Sequence, residues 1–276
     1  MMAAIEPQVP DPVDLDHRWT PRPYGHDELI RGLLRGGMAG VVSHPMDNVL
    51  WKIGLLCDGD HTSQFGMTGV DSLSRGEVLQ LVAEASGFEP DPRVRMGPVR
   101  VRAERILEEC EAVGDRLATA CARGERMILA TGHPTGLILL YAELGRLLAS
   151  RDVTLLRPRE GFSWEEGRHH RQIRYFHGVA VLTDRASSLH THSGDPMRRM
   201  LEEARPELVF ADHGFAGSAI QAEIETLSIA DVNDPALLVA KAQGRASAVI
   251  VMDDNVQPED YWPCFQAIAA RIEAGA

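Results

Sequence analysis

The spacing of apolar positions changes character near Arg126. Ahead of it, apolar residues recur at three- and four-residue steps, the signature of one buried helix face. Over 99–123 the series is Val101, Ile106, Leu107, Cys110, Val113, Leu117 and Cys121. Asp27 opens a predicted helix through Leu34, and Gly36-Gly37 stops it. A second helix is predicted from about Met46 to Leu56, with Asp47 or Asn48 as its cap. Ser74 and Glu77 form a capping box for a third, ending near Gly87.

Beyond Arg126, short apolar runs alternate with helix-like segments. The runs cover 127–130, 153–156, 179–182, 208–211, 227–230 and 248–252; the helices fit 137–149, 196–204, 216–224 and 235–242. Asp234-Pro235 reads as a cap followed by proline at the first helical position. Such alternation predicts an α/β fold, a mainly parallel sheet with helices on both faces. The expected organisation is an extended arm over 1–25, a helical portion over 26–125, and a Rossmann-like α/β portion over 126–276 that carries the site. The arm holds Pro7, Pro10, Pro12, Pro21 and Pro23, and Trp19 and Tyr24 are its expected anchors. The polar stretch 165–174 reads as a solvated loop or lid, whose Arg168, Arg171 and Arg174 could close over a phosphorylated substrate.

Composition narrows the function. The 276 residues carry a net charge of −12, which argues against a nucleic-acid partner. No apolar run nears the ~20 residues of a membrane helix, and no signal peptide is visible, so a cytoplasmic protein is expected. Cys57, Cys110, Cys121 and Cys264 form no CxxC and read as free thiols. Lysine occurs only at Lys52 and Lys241, which sets Schiff-base chemistry aside.

In open α/β sheets, ligands bind at the carboxyl ends of the strands. Those ends carry Gly132, His133, Thr135 and Gly136, then His190, His192 and Ser193, then Asp212 and His213. Asp231, Asn233 and Asp234 follow, and finally Asp253, Asp254 and Asn255. Asp234 reads as a helix cap. Two histidines two apart in extended chain share a face, so His190 and His192 can reach one ion. With Asp212, His213 and Asp253 they form the expected metal ligands, for magnesium, manganese or zinc. His133, Asp231 and Asp254 are the expected acid and base groups. Gly132, Thr135 and Gly136 are expected to cradle phosphate at a helix N-terminus, with Asn48 and Lys52 facing the cleft.

Two strings resemble the PHP family of metal-dependent phosphoesterases: His190-Thr191-His192-Ser193 and Asp212-His213-Gly214. Ser188 stands where that family carries an acid, and no histidine follows His213. The likeness is therefore to local ligand geometry and not to that family's barrel. The α/β portion as a whole resembles an actinobacterial family of proteins of about this length labelled phosphatases. That resemblance rests on Ala130-Thr-Gly-His-Pro-Thr-Gly136, His190-Thr-His-Ser193, Ala211-Asp-His-Gly214, Ala230-Asp-Val-Asn-Asp-Pro-Ala236 and Met252-Asp-Asp-Asn-Val256. It implies a phosphatase.

Other phosphatase chemistries lack their spacing here. Cys121 to Arg126 falls one residue short of C-x5-R, and no GxSxG elbow occurs. The expectation is a metal-dependent hydrolase of a small phosphorylated metabolite (sugar, cyclitol or similar phosphomonoester) using metal-activated water. Two alternatives remain open at this point. One is a metal-free protein that binds a nucleotide or sugar phosphate; the other is an isomerase or epimerase using His/Asp acid–base chemistry. A homodimer is compatible with the sequence.

Overall fold

The computed structural model describes residues 18–91 and 93–275. Most of the proposed arm, residues 1–17, lies outside the described residues. Trp19 is buried, with its ring 5.3 Å from that of Phe265, and Tyr24 lies 5.1 Å from Trp262. The Gln266 amide donates to the carbonyls of Arg18 and Thr20.

The helical portion holds α1 (His26–Arg35), α2 (Met46–Cys57), α3 (Arg75–Ser86) and α4 (Ala103–Arg123). It also holds a two-stranded antiparallel pair, β1 (Gly40–Val41) and β2 (Arg100–Val101), that the sequence pattern did not predict. Ser74 caps α3 in a reciprocal box with Glu77, and Gly87 ends it in the left-handed conformation. The expected cap of α2 differs: Pro45 occupies that position, and neither Asp47 nor Asn48 caps it. Asn48 is instead drawn to Asn233.

The α/β portion runs β3 (Arg126–Ala130), α5 (Pro134–Ala149), β4 (Thr154–Leu155), β5 (Ser163–Glu166), β6 (His169–Phe176), β7 (Val179–Asp184) and β8 (Ser187–Ser188). It continues with α6 (Asp195–Leu201), β9 (Leu208–Asp212), α7 (His213–Gln221), β10 (Glu225–Ala230), α8 (Pro235–Ala242), β11 (Ala248–Val251) and α9 (Trp262–Ala274). Nine strands form one sheet in the order β11-β10-β9-β3-β7-β6-β5, with β4 beside β3 and β8 beside β7. The run β11-β10-β9-β3-β7 is parallel; β7-β6-β5 is antiparallel. Apart from the exposed first residues of β3 and β10, β3, β9, β10 and β11 are buried, and so read as unbroken apolar runs.

The stretch 165–174 is not a lid. It forms most of the β5–β6 hairpin, in which Glu165 faces His170 and Glu166 faces His169. Opposite charges across neighbouring strands stabilise a ribbon whose charge density reads as loop when taken one residue at a time. The Glu165 carboxylate sits 2.7 Å from His170 Nδ1, and Arg171 Nε donates to Glu166 at 2.7 Å.

Chain order places the site. From β3 the chain crosses to β4 and β7 on one side, whereas β9 leads on to β10 and β11 on the other. The loops after β3 and β9 therefore part company, leaving the crevice where α/β sheets bind ligands. The core is continuous across both portions, with α4 packed along α9.

Candidate functional site

The crevice between β3 and β9 is closed by one carboxylate. Asp212, the last residue of β9, accepts the Gly132 N–H at 2.7 Å. The same Oδ1 lies 2.8 Å from Nδ1 of His213. A Cβ on Gly132 would fall 2.5 Å from the Thr191 carbonyl oxygen, so no larger residue fits that turn. His213 has φ +47, a left-handed conformation uncommon for a side-chain-bearing residue and often found at functional sites.

With Nδ1 engaged, Nε2 of His213 points into a cluster of donors. It lies 3.4 Å from His190 Nε2, 3.3 Å from Asp234 Oδ2 and 3.8 Å from Asp254 Oδ2. Donor atoms of His190, His192 and His213 lie within 4.8 Å of one another, as do those of His213, Asp234 and Asp254. The His190 ring stacks on His133 at 4.6 Å between centroids, and Phe65 meets the His192 ring edge-on at 5.0 Å. His133 Nδ1 is 3.4 Å from Asp254 Oδ1. Behind Asp231 stands His44, its Nε2 3.3 Å from Oδ2; His44 is partly exposed and Asp231 buried.

Burial and charge set the protonation states. Burial, then the neighbouring His213, pulls His192 down to about 4, and the same causes lower His190. Both imidazoles are therefore neutral near pH 7 with a lone pair free. Burial also works against a charge on His213, but Asp212 and Asp234 outweigh it and raise its pKa well above the ordinary value. Burial pushes the Asp231 carboxyl up to about 7 against the pull of His44. For Asp254 burial acts upward too, but His133 and His213 prevail and hold it at about 2.

Several buried polar atoms here have no hydrogen-bond partner among the described residues. They include Asp212 Oδ2, Asp231 Oδ1, Asp254 Oδ2 and the Tyr261 hydroxyl, while Asp231 Oδ2 meets only the His44 ring. Leaving such groups uncompensated costs several kcal/mol for carboxylates, unless a cation or water meets them. Neutral imidazoles beside carboxylate oxygens suit a borderline divalent ion. The residues thus fit a metal. His190, His192, His213, Asp234 and Asp254 are the ones whose atoms converge.

The remaining expected residues fall elsewhere. Asp253 turns away from this convergence and accepts from Ser43 N at 2.6 Å, Ser43 Oγ at 3.1 Å and Asn255 N at 3.0 Å. Asp212 backs His213 from behind. Asp234 stands at the start of α8 yet makes no capping hydrogen bond; its carboxylate faces His213 instead. In the turn after β3, Gly132 N–H is spent on Asp212 and His133 N–H on Thr131 Oγ1. Gly136 lies so close to the Asp254 carbonyl that a Cβ would meet it at 2.8 Å. Thr135 is exposed on the first turn of α5 and its side chain makes no hydrogen bond among the described residues. Asn48 Oδ1 accepts from Asn233 at 2.8 Å, and the charge of Lys52 reaches His192.

Sequence reasoning missed two participants. His44 lay in the string ahead of α2 that drew attention to Asn48 and Lys52, and its own imidazole was the overlooked signal. Asp234 was hidden because an acid before Pro235 is an ordinary helix start. No helix among the described residues is long and apolar enough to cross a membrane.

A family model described as Phosphatase matches residues 24–275 of the chain. The Streptomyces coelicolor protein named Phosphatase SCO2771 is 35% identical over 242 residues, covering 85% of this chain and 91% of that protein. No solved structure matches the chain.

Proposed function

Since the chain belongs to the Phosphatase family, we propose that it is a divalent-metal-dependent enzyme releasing inorganic phosphate from a small phosphomonoester. The observation that carries this reading is the convergence of His190, His192, His213, Asp234 and Asp254, with buried carboxylate oxygens left unpaired around it. These residues form two triads that share His213, and they would hold the metal. When bound, it would polarise the phosphoryl group and lower the pKa of attacking water.

The protein groups have separable tasks. Asp212 fixes the His213 ring through Nδ1 and so keeps Nε2 directed at the cluster. His133, stacked on His190 and beside Asp254, restrains both. Lys52 supplies positive charge for the phosphate at the α2 side of the crevice. Asp231 and His44 form a proton-handling pair, with His44 partly open to solvent. Asn48, clamped to Asn233, ties α2 to the loop after β10. Asp253 fastens the Ser43 loop and so sets the position of His44.

The test is phosphate release from a panel of small phosphomonoesters with Mg²⁺, Mn²⁺ or Zn²⁺, and after EDTA. Release that EDTA abolishes and one of these ions restores is the expected result. Release that survives complete chelation would remove the metal from the reading. Absence of release with every ion would return the protein to the metal-free binding alternative.

A further inference from the structure

Beside the cluster, on the side of the antiparallel strands, lies a hollow of about 260 Å³. Its walls include Trp164, Arg171, Leu182, Leu189 and Ser193, and it shares His190 with the cluster. We propose that this hollow is the leaving-group subsite and that it takes an uncharged alcohol bearing a single ring. The inference rests on the phosphatase reading, in which the phosphate sits at the cluster that His190 borders.

Size and chemistry both select the ligand. The hollow lies below the roughly 300–1,000 Å³ of pockets that hold drug-sized molecules, which favours a small leaving group. Trp164, Leu182 and Leu189 give it apolar walls suited to a ring face. Its charged groups are spent on one another. Arg171 donates to Glu166 at 2.7 Å and lies 3.7 Å from Asp184, and Asp195 pairs with Arg198. No free charge is left to neutralise a charged leaving group, and burying one unpaired would be costly.

The wall is also held in place. The Arg199 guanidinium lies 4.5 Å from the Trp164 ring centroid, and Phe162 lies 6.0 Å from it. Trp164 pairs with Arg171 across the β5–β6 ribbon. The hairpin that the sequence pattern presents as a lid is thus a fixed side wall. A rigid aromatic surface binds a ring without first having to be ordered.

The experiment compares cyclohexyl phosphate with glycerol phosphate in the wild-type protein, Trp164→Ala and Trp164→Phe. Turnover is read as kcat and KM, binding by calorimetry, and metal content by elemental analysis. The wild type should favour the cyclic ester by roughly tenfold or more in kcat/KM, the scale of a few buried methylenes. Trp164→Ala should lose most of that preference through KM, falling further on the cyclic ester than on glycerol phosphate, with metal content unchanged. Trp164→Phe should fall between the two and guards against a folding defect. Equal loss on both esters, or no preference in the wild type, would overturn the subsite. If neither ester is hydrolysed, the phosphatase reading fails separately. Calorimetry then decides: cyclohexyl phosphate binding that Trp164→Ala weakens about tenfold supports the subsite, and equal binding overturns it.

Discussion

Oδ1 of Asp212 serves two donors at once, the Gly132 N–H at 2.7 Å and His213 Nδ1 at 2.8 Å. One atom thus joins the turn after β3 to the end of β9 and fixes the imidazole whose other nitrogen faces the cluster. Partners of this kind typically contribute 10–100-fold to metal affinity. Asp212→Asn should therefore bind the ion about 10–100-fold more weakly, measured by competition with a chelating dye. A variant with wild-type affinity would reduce Asp212 to a structural tie.

The Gly132 turn has no room to spare. Alanine there would set Cβ 2.5 Å from the Thr191 carbonyl oxygen and 3.0 Å from His213 Cβ, both on segments that carry donors. Overpacking of this kind costs roughly 1–3 kcal/mol. Gly132→Ala should lower stability to urea by that amount and displace the histidines, so that metal affinity drops alongside it. Stability equal to wild type would show that the turn relaxes freely.

Asp231 and His44 should separate chemistry from binding. Neither belongs to the groups whose donor atoms converge. Removing a positioned proton-transfer group typically costs 10²–10⁴-fold in rate. Asp231→Asn is expected to lower kcat by about that factor with KM and metal content near wild type; His44→Gln should lower it less, because water can reach that position. Loss of the metal in Asp231→Asn would reassign Asp231 to the ligand set.

Much of this was legible in the chain. The parallel strands announce themselves because both faces are buried and their runs are unbroken, as in 208–212 and 248–251. The donors His190, His192 and His213 could be read because strand-end loops seldom collect imidazoles without cause. What escaped depended on contacts distant in sequence. The β5–β6 hairpin is stabilised by cross-strand charges, visible only once Glu165 is set opposite His170. His44 meets Asp231 across 187 positions of chain, so its imidazole gains a role only once the fold is known. Asp234 satisfies the local rule for a helix start so well that its turn toward His213 was hidden.

A last prediction concerns stability far from the crevice. Arg116 of α4 grips Glu225, the first residue of β10, through Nε at 2.7 Å and Nη2 at 2.8 Å, and also reaches Glu125 at 2.8 Å. The Arg116 guanidinium outweighs burial and lowers the Glu225 pKa, so the fold favours its charged form. A group whose folded pKa is depressed contributes fully above its unfolded value, near 4.5, and loses that contribution as pH falls through the lower folded value. Glu225 is partly exposed, with 39% of its side chain accessible, so solvent screening keeps its contribution to about 1 kcal/mol or less. Urea unfolding at pH 7 should therefore show Glu225→Gln less stable than wild type by about that amount. Between pH 5 and pH 3 the gap should close, because protonation removes in the wild type what the substitution has already removed. A gap that stays constant across that range would show that the Arg116–Glu225 pair contributes through packing alone.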